Sequence, residues 1–209
     1  MELVAKQNWA VSNISSGLED IHRSEINIAI CERELSYLNE ELLQLVESDF
    51  VLRSRGDVKS IENDISKAPV LAASPLIQAD IIQLLQLFAG IIPCESYRLY
   101  FASVNSDMCK RFHTDINDLR MLCTYRGQGT LWVKEDLLED SSLHSIDTDC
   151  IDADDPRIRQ ANAGDILILK GAIYPKEGTK PILHRSPNIE ERGDRRLLLR
   201  LDTKEFANF

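Results

Sequence analysis

Arg196-Leu-Leu-Leu-Arg-Leu-Asp202 alternates its side chains as a β-strand does. Successive residues of a strand face opposite ways, so Leu197, Leu199 and Leu201 share one face, while Arg196, Leu198, Arg200 and Asp202 share the other. The strand therefore divides two environments. Its leucines need a covering layer, and an arginine turned inward needs an anion, because an unpaired buried guanidinium is costly. Two kinds of anion satisfy this: a ligand carboxylate held bidentately, or a protein carboxylate such as Asp202, Asp115 or Glu190.

Working back from this strand, the same period of two recurs from Glu95 onward. Ser96–Val104, Leu119–Tyr125, Thr130–Val133, Asp165–Lys170 and Ile182–Ser186 read as strands bounded by turn residues. Short strands at such intervals point to a β-sandwich or barrel. The first half reads as helical. Ser16-Gly-Leu-Glu19 matches a capping box, and Leu18, Ile21, Ile28, Cys31, Leu35, Leu38, Leu42 and Leu45 recur at steps of three and four with one gap of seven. After a polar stretch at Arg53–Asp57, a second helix is expected to about Lys67, ending before Pro69. Ser74-Pro75 opens a third, which ends near Ala89-Gly90. The expected fold is α+β, with a helical region at 1–94 covering a cupin-like β-barrel at 95–209.

Within the strand-rich half, His113-Thr-Asp115 places an imidazole and a carboxylate two residues apart, on one face of a strand. His184 follows Asp115 by 69 residues, in another strand-like segment. Two imidazoles and one carboxylate form a facial ligand set that leaves half of an octahedral iron(II) open. His-x-Asp alone is also a common surface pair, so its weight comes from context. Cys109 can be read as a further zinc ligand or as a small buried hydrophobe. His22 and His144 read as solvent-facing bystanders. Arg120, Tyr125 and Trp132 are candidates to line a substrate pocket, as is Tyr174.

Composition narrows the partners. With 24 basic and 34 acidic residues the formal net charge is −10, which disfavours nucleic acid, and no basic stripe with interleaved aromatics compensates. Basic residues nevertheless gather near the candidate site, which suits a small anionic ligand. Residues 135–155 carry nine acids and no Lys or Arg, yet lack the glycine and terminal glutamate of a calcium loop, so they read as a solvated loop or lid. No membrane span and no signal peptide are visible. The five scattered cysteines, without a C-x-x-C, argue against a disulfide framework and fit a reducing cytoplasm.

Taken together, Cys109-Lys-Arg-Phe-His113-Thr-Asp115, Arg120-Met-Leu-Cys-Thr-Tyr-Arg-Gly-Gln-Gly-Thr-Leu-Trp132, Gly164-Asp-Ile-Leu-Ile-Leu-Lys-Gly171, His184-Arg-Ser-Pro187 and Arg196–Asp202 resemble a bacterial family catalogued as domain of unknown function 1826. That family looks distantly related to the iron(II)/2-oxoglutarate oxygenases and is associated with genes for zinc-handling GTPases. The resemblance implies a double-stranded β-helix, with His113, Asp115 and His184 on the metal and Arg196 or Arg200 on the far carboxylate of 2-oxoglutarate. The usual Arg-x-Ser is missing, since Leu197 and Leu198 follow Arg196. The function implied is a mononuclear non-haem Fe(II) dioxygenase acting on a small molecule or a protein. The alternative is a Zn(II) protein of metal homeostasis.

Overall fold

The computed structural model describes residues 7–134 and 155–203. Among these residues ten strands form: β1 (Trp9–Ser12), β2 (Ile28–Cys31), β3 (Val51–Gly56), β4 (Tyr97–Val104), β5 (Leu119–Arg126), β6 (Leu131–Val133), β7 (Ile158–Gln160), β8 (Ile166–Lys170), β9 (His184–Arg185) and β10 (Arg196–Thr203). Seven build one sheet in the order β1-β2-β8-β5-β10-β4-β3, and three build a smaller sheet in the order β7-β6-β9. The architecture is mixed α/β, dominated by the larger sheet.

The alternation in β10 divides the molecule as its sequence implies. Leu197, Leu199 and Leu201 join Leu99, Phe101, Met121, Cys123 and Ile168 on a face covered by helices, in the main core. On the opposite face Leu198 meets Leu122, Leu167 and Ile28, and Trp132 of β6 packs into the same cluster. This second core lies between the two sheets.

Three helices supply the cover: α1 (Asn39–Val46), α2 (Val58–Lys67) and α3 (Pro75–Ile91). The last two start and stop where the sequence indicates. Asp57 caps α2 by accepting from Ser60 N at 2.8 Å. Proline stands at the first position of α3, but the Ser74 hydroxyl makes no cap bond. The Glu41 carboxylate of α1 accepts from Leu76 N and Ile77 N instead, at 3.1 and 2.9 Å, which ties the two helices together.

The all-helical reading of the first half is corrected. Residues 15–22 form 3-10 turns without a side-chain cap, so Ser16 is no capping-box residue. Ile28–Cys31 is a strand buried on both faces, paired antiparallel with β8 and parallel with β1. A run such as Ile-Ala-Ile-Cys has no polar face, and its β-branched residues fill a central strand; the gap of seven in the periodic stripe marked the break. The polar stretch at Arg53 belongs to the edge strand β3, whose residues alternate between exposed and half-buried. Strands from both sides of position 94 therefore share one sheet.

Residues 135–154, which hold most of the acidic segment and His144, lie outside the described residues. Among the described residues, Cys31, Cys94, Cys109 and Cys123 are free, and no helix is long and apolar enough to cross a membrane.

One buried polar cluster locks the helical cover to the sheet. Arg33 donates through both terminal nitrogens to Asp80 of α3, at 2.7 and 2.9 Å, and Tyr125 of β5 donates to the same carboxylate at 2.5 Å. Removing one partner of a buried ion pair leaves the other charge uncompensated. Asp80→Ala should therefore lose about 3–5 kcal/mol of stability, read as a lowered urea midpoint.

Candidate metal centre

His113 and His184 face each other across an antiparallel backbone bridge. Each accepts from the other's amide at 3.0 Å, so their side chains emerge on the same side. The ring centroids lie 4.5 Å apart. Asp115, two residues beyond His113, brings its carboxylate to the same point. Its Oδ1 lies 3.7 Å from His113 Nε2 and its Oδ2 lies 3.3 Å from His184 Nε2. One ligand atom from each residue falls within 4.8 Å of the others, a group able to hold a metal ion.

Backbone contacts fix the short segment that carries Asp115. Ala172 N donates to Asp115 O at 2.8 Å, Gly171 N to Asp118 O at 2.9 Å, and Ile173 N to Asn117 O at 3.2 Å. This approach requires glycine. A Cβ on Gly171 would come within 2.1 Å of the Asn117 carbonyl oxygen.

The hydrogen-bonding pattern suits a cation. His113 Nδ1 meets Arg111 O at 3.1 Å, and His184 Nδ1 meets Ile182 O at 3.3 Å. A carbonyl can only accept, so the proton sits on Nδ1 in each neutral ring and the Nε2 lone pairs point inward. Asp115 Oδ1 accepts from Arg120 at 2.5 Å, whereas Oδ2 is buried and has no hydrogen-bond partner among the described residues. A buried carboxylate oxygen left open 3.3 Å from the His184 Nε2 lone pair, with His113 Nε2 facing the other oxygen, is a place that a metal ion would stabilise. The three residues fit the group that their types imply.

Arg120 is thus a support as well as a wall. Its Nε donates to Asp202 at 2.5 Å while its terminal nitrogen holds Asp115, so β5 and β10 brace the carboxylate. The two arginines of β10 part company. Arg200 lies 3.0 Å from Asp202, the protein pairing read as one alternative. Arg196 is 2 % exposed, makes no ion pair among the described residues, and donates to the hydroxyls of Thr124 at 2.9 Å and Thr130 at 3.3 Å; its Nε has no partner. Burial lowers its pKa to about 10. His113, Arg120, His184, Arg196 and Arg200 line one cavity of about 50 Å³.

Other candidates fall elsewhere. Tyr125 lies on the helix-covered face, hydrogen-bonded to Asp80, and does not line the cavity at the three-residue group: the alternation of β5 turns it away from Thr124. Tyr174 also packs against the main core and bonds His22. His22 is exposed as expected, yet it bridges Tyr174 and the Ile91 carbonyl. Trp132 is buried between the sheets, with Trp9 at 6.0 Å. Cys109 is exposed and bonds His113 without joining the three-residue group. Sequence reasoning missed Thr124 and Thr130; the inward alternation of Leu122 and Thr124 was their signal.

The chain matches, over residues 12–202, the model of a family described as protein of unknown function DUF1826, and it belongs to that family. No curated protein matches it. Among solved structures, the fold is similar to the dioxygenase for auxin oxidation of rice, at 11% identity and a TM-score of 0.50, covering 90% of this chain and 76% of that one. It is also similar to the dioxygenase for auxin oxidation 1 of Arabidopsis thaliana in a binary complex with 2-oxoglutarate. That likeness has 10% identity and a TM-score of 0.51, covering 93% and 91% of the two chains. At such identities the likeness is one of fold.

The two imidazoles differ electrostatically. Burial pushes the His184 pKa down to about 4, against the pull of Asp115, while the Cys109 thiol bonded to its ring raises that of His113. Between pH 6.5 and about 4 the unfolded chain therefore binds a proton at His184 that the folded chain refuses, so stability drains as pH falls through that window. His113 acts oppositely, its contribution being full below 6.5 and lost as pH rises through its raised pKa. Proton NMR of the metal-free protein should show His184 titrating near pH 4 and His113 above 6.5. A His184 midpoint at its ordinary value would contradict the burial argument.

Proposed function

We propose that this protein is a mononuclear non-haem iron(II) dioxygenase that uses 2-oxoglutarate, with His113, Asp115 and His184 as metal ligands. The observation that carries this reading is the buried Oδ2 of Asp115, without a hydrogen-bond partner among the described residues and 3.3 Å from His184 Nε2, with His113 Nε2 facing the same carboxylate. The fold likeness to dioxygenases, one of them with 2-oxoglutarate bound, supports it. The two facing sheets are then read as a double-stranded β-helix.

Iron(II) held there would supply the oxidation of a substrate by molecular oxygen, coupled to decarboxylation of 2-oxoglutarate. The chain's own residues set the conditions. Arg120 orients Asp115, and the backbone bridge fixes the angle between the imidazoles. Arg196 receives the far carboxylate of 2-oxoglutarate: its guanidinium is buried and lacks a counter-ion among the described residues, and Thr124 and Thr130 orient it. The two threonine hydroxyls stand in for the serine of the absent Arg-x-Ser. Arg200, already beside Asp202, is the weaker candidate.

Anaerobic titration of the protein with iron(II) and 2-oxoglutarate should produce the visible charge-transfer band of the chelate. His113→Ala and Asp115→Ala should abolish iron binding. Arg196→Gln should keep iron but weaken 2-oxoglutarate by about 2–5 kcal/mol, roughly thirtyfold or more. Stoichiometric zinc that resists exchange, with no spectral response to 2-oxoglutarate, would replace this reading with a zinc protein.

A further inference from the structure

Beside the metal centre, the same face of the larger sheet carries a second, differently built feature. Arg53, Arg55, Arg98, Tyr100, Arg200 and Asp202 line a crevice of about 410 Å³. Register explains the cluster. Arg53 of β3 stands opposite Tyr100 of β4, which stands opposite Arg200 of β10. In the next row, Arg55 pairs with Arg98 and Arg98 with Asp202. Ser54, between the two β3 arginines, turns the other way to bond Asp64 of α2.

Four guanidinium groups thus meet one carboxylate, in a chain whose net charge is −10. That carboxylate is already engaged. Asp202 accepts from Arg120 at 2.5 Å and from Asn117 at 3.2 Å, with Arg200 at 3.0 Å. Among the described residues no acid pairs with Arg53, Arg55 or Arg98. Arg53 and Arg200 rest against the Tyr100 ring, their guanidinium carbons 5.3 and 5.2 Å from its centroid, which holds two of the forks in place. Like charges directly opposite on paired strands destabilise a sheet. One charge would suffice to guard the open edge at β3, so the Arg55–Arg98 pair needs another reason.

We propose that this crevice binds the charged end of the primary substrate, a small molecule bearing at least two negative charges on phosphate or carboxylate oxygens. The volume suits a small ligand, since such sites span roughly 300–1,000 Å³. Planar forks clustered around a single, already engaged carboxylate match bidentate recognition of oxyanions. Arg200 lines both the crevice and the metal cavity, so a ligand anchored on the arginines extends towards His113 and His184. This deepens the oxygenase reading and rests on it, for the crevice names the substrate only if the metal centre does the chemistry.

The test uses the full chain freed of metal, so that probes cannot act through an ion. Inorganic pyrophosphate and citrate are titrated calorimetrically into the wild type, Arg53→Gln/Arg55→Gln, Arg98→Gln and Arg196→Gln. Arg53 and Arg55 are exposed, so their substitution leaves the core intact, and circular dichroism checks this. Binding of at least one probe is expected, weakened about tenfold or more in the double variant and in Arg98→Gln, and changed less than about twofold in Arg196→Gln. Stronger binding of pyrophosphate assigns phosphate esters, and stronger binding of citrate assigns polycarboxylates. Failure of both probes to bind, or affinities indifferent to the double variant, would overturn the proposal and leave these arginines as charges on an open edge. His113→Ala separates the two readings: it should lose iron and keep the anion.

Discussion

Arg120 holds Asp115 by one oxygen and leaves the other open, and the remainder of the site follows from that division. A carboxylate with both oxygens satisfied by the protein would have nothing to offer a cation. One with neither satisfied would be too costly to bury. Arg120 is itself fixed by Asp202, so the position of the carboxylate depends on the register of two neighbouring strands, β5 and β10, and not on a loop alone. The imidazole partners arrive through another rigid device, a backbone bridge between residues that lie 71 positions apart.

The larger sheet keeps two chemistries apart. Its helix-covered face is largely apolar, and the Arg33–Asp80–Tyr125 cluster within it is internally paired. Its other face collects guanidinium groups with too few acids to match them. The alternation of single strands does this sorting, so that Tyr125 and Thr124, or Leu197 and Arg196, are neighbours in sequence and belong to different environments. An acidic protein can in this way present a basic interior wall.

Much of this was legible in the sequence, and the misses have physical causes. The strand pattern from Glu95 onward carries a period of two with turn residues between, and its long strands appear within about a residue of the expected bounds, whereas Ile182–Ser186 shortens to His184–Arg185 and the three-residue β7 was not foreseen. His113, Asp115 and His184 were recognisable by residue type and spacing, but the expected strand at His113–Asp115 is only an isolated bridge at His113 with Asp115 in the irregular segment beyond it, so their convergence needed the fold. Ile28–Cys31 misled because a doubly buried strand has no alternation, and its apolar residues fall by chance on a helical period. Arg53 and Arg55 were read as a polar linker, since two arginines around a serine carry no apolar face; only pairing with β4 reveals them as a strand. Tyr125 looked like a pocket aromatic because sequence alone does not say which face of β5 is covered.

The sheet's outermost strands, β1 and β3, both come from the first 56 residues, while the strands between them, except β2, lie beyond residue 96. As the chain leaves the ribosome, β1 and β2 emerge together, long before the rest of their sheet exists. β2 must wait for β8, whose Ile166 pairs with Cys31 from 135 residues further on, before its other edge is paired. Long-range pairing of this kind slows folding and keeps apolar segments open to wrong partners in the meantime. The nascent chain is thus most exposed to aggregation at Ile28–Cys31, and its safe assembly depends on how soon the C-terminal half is delivered.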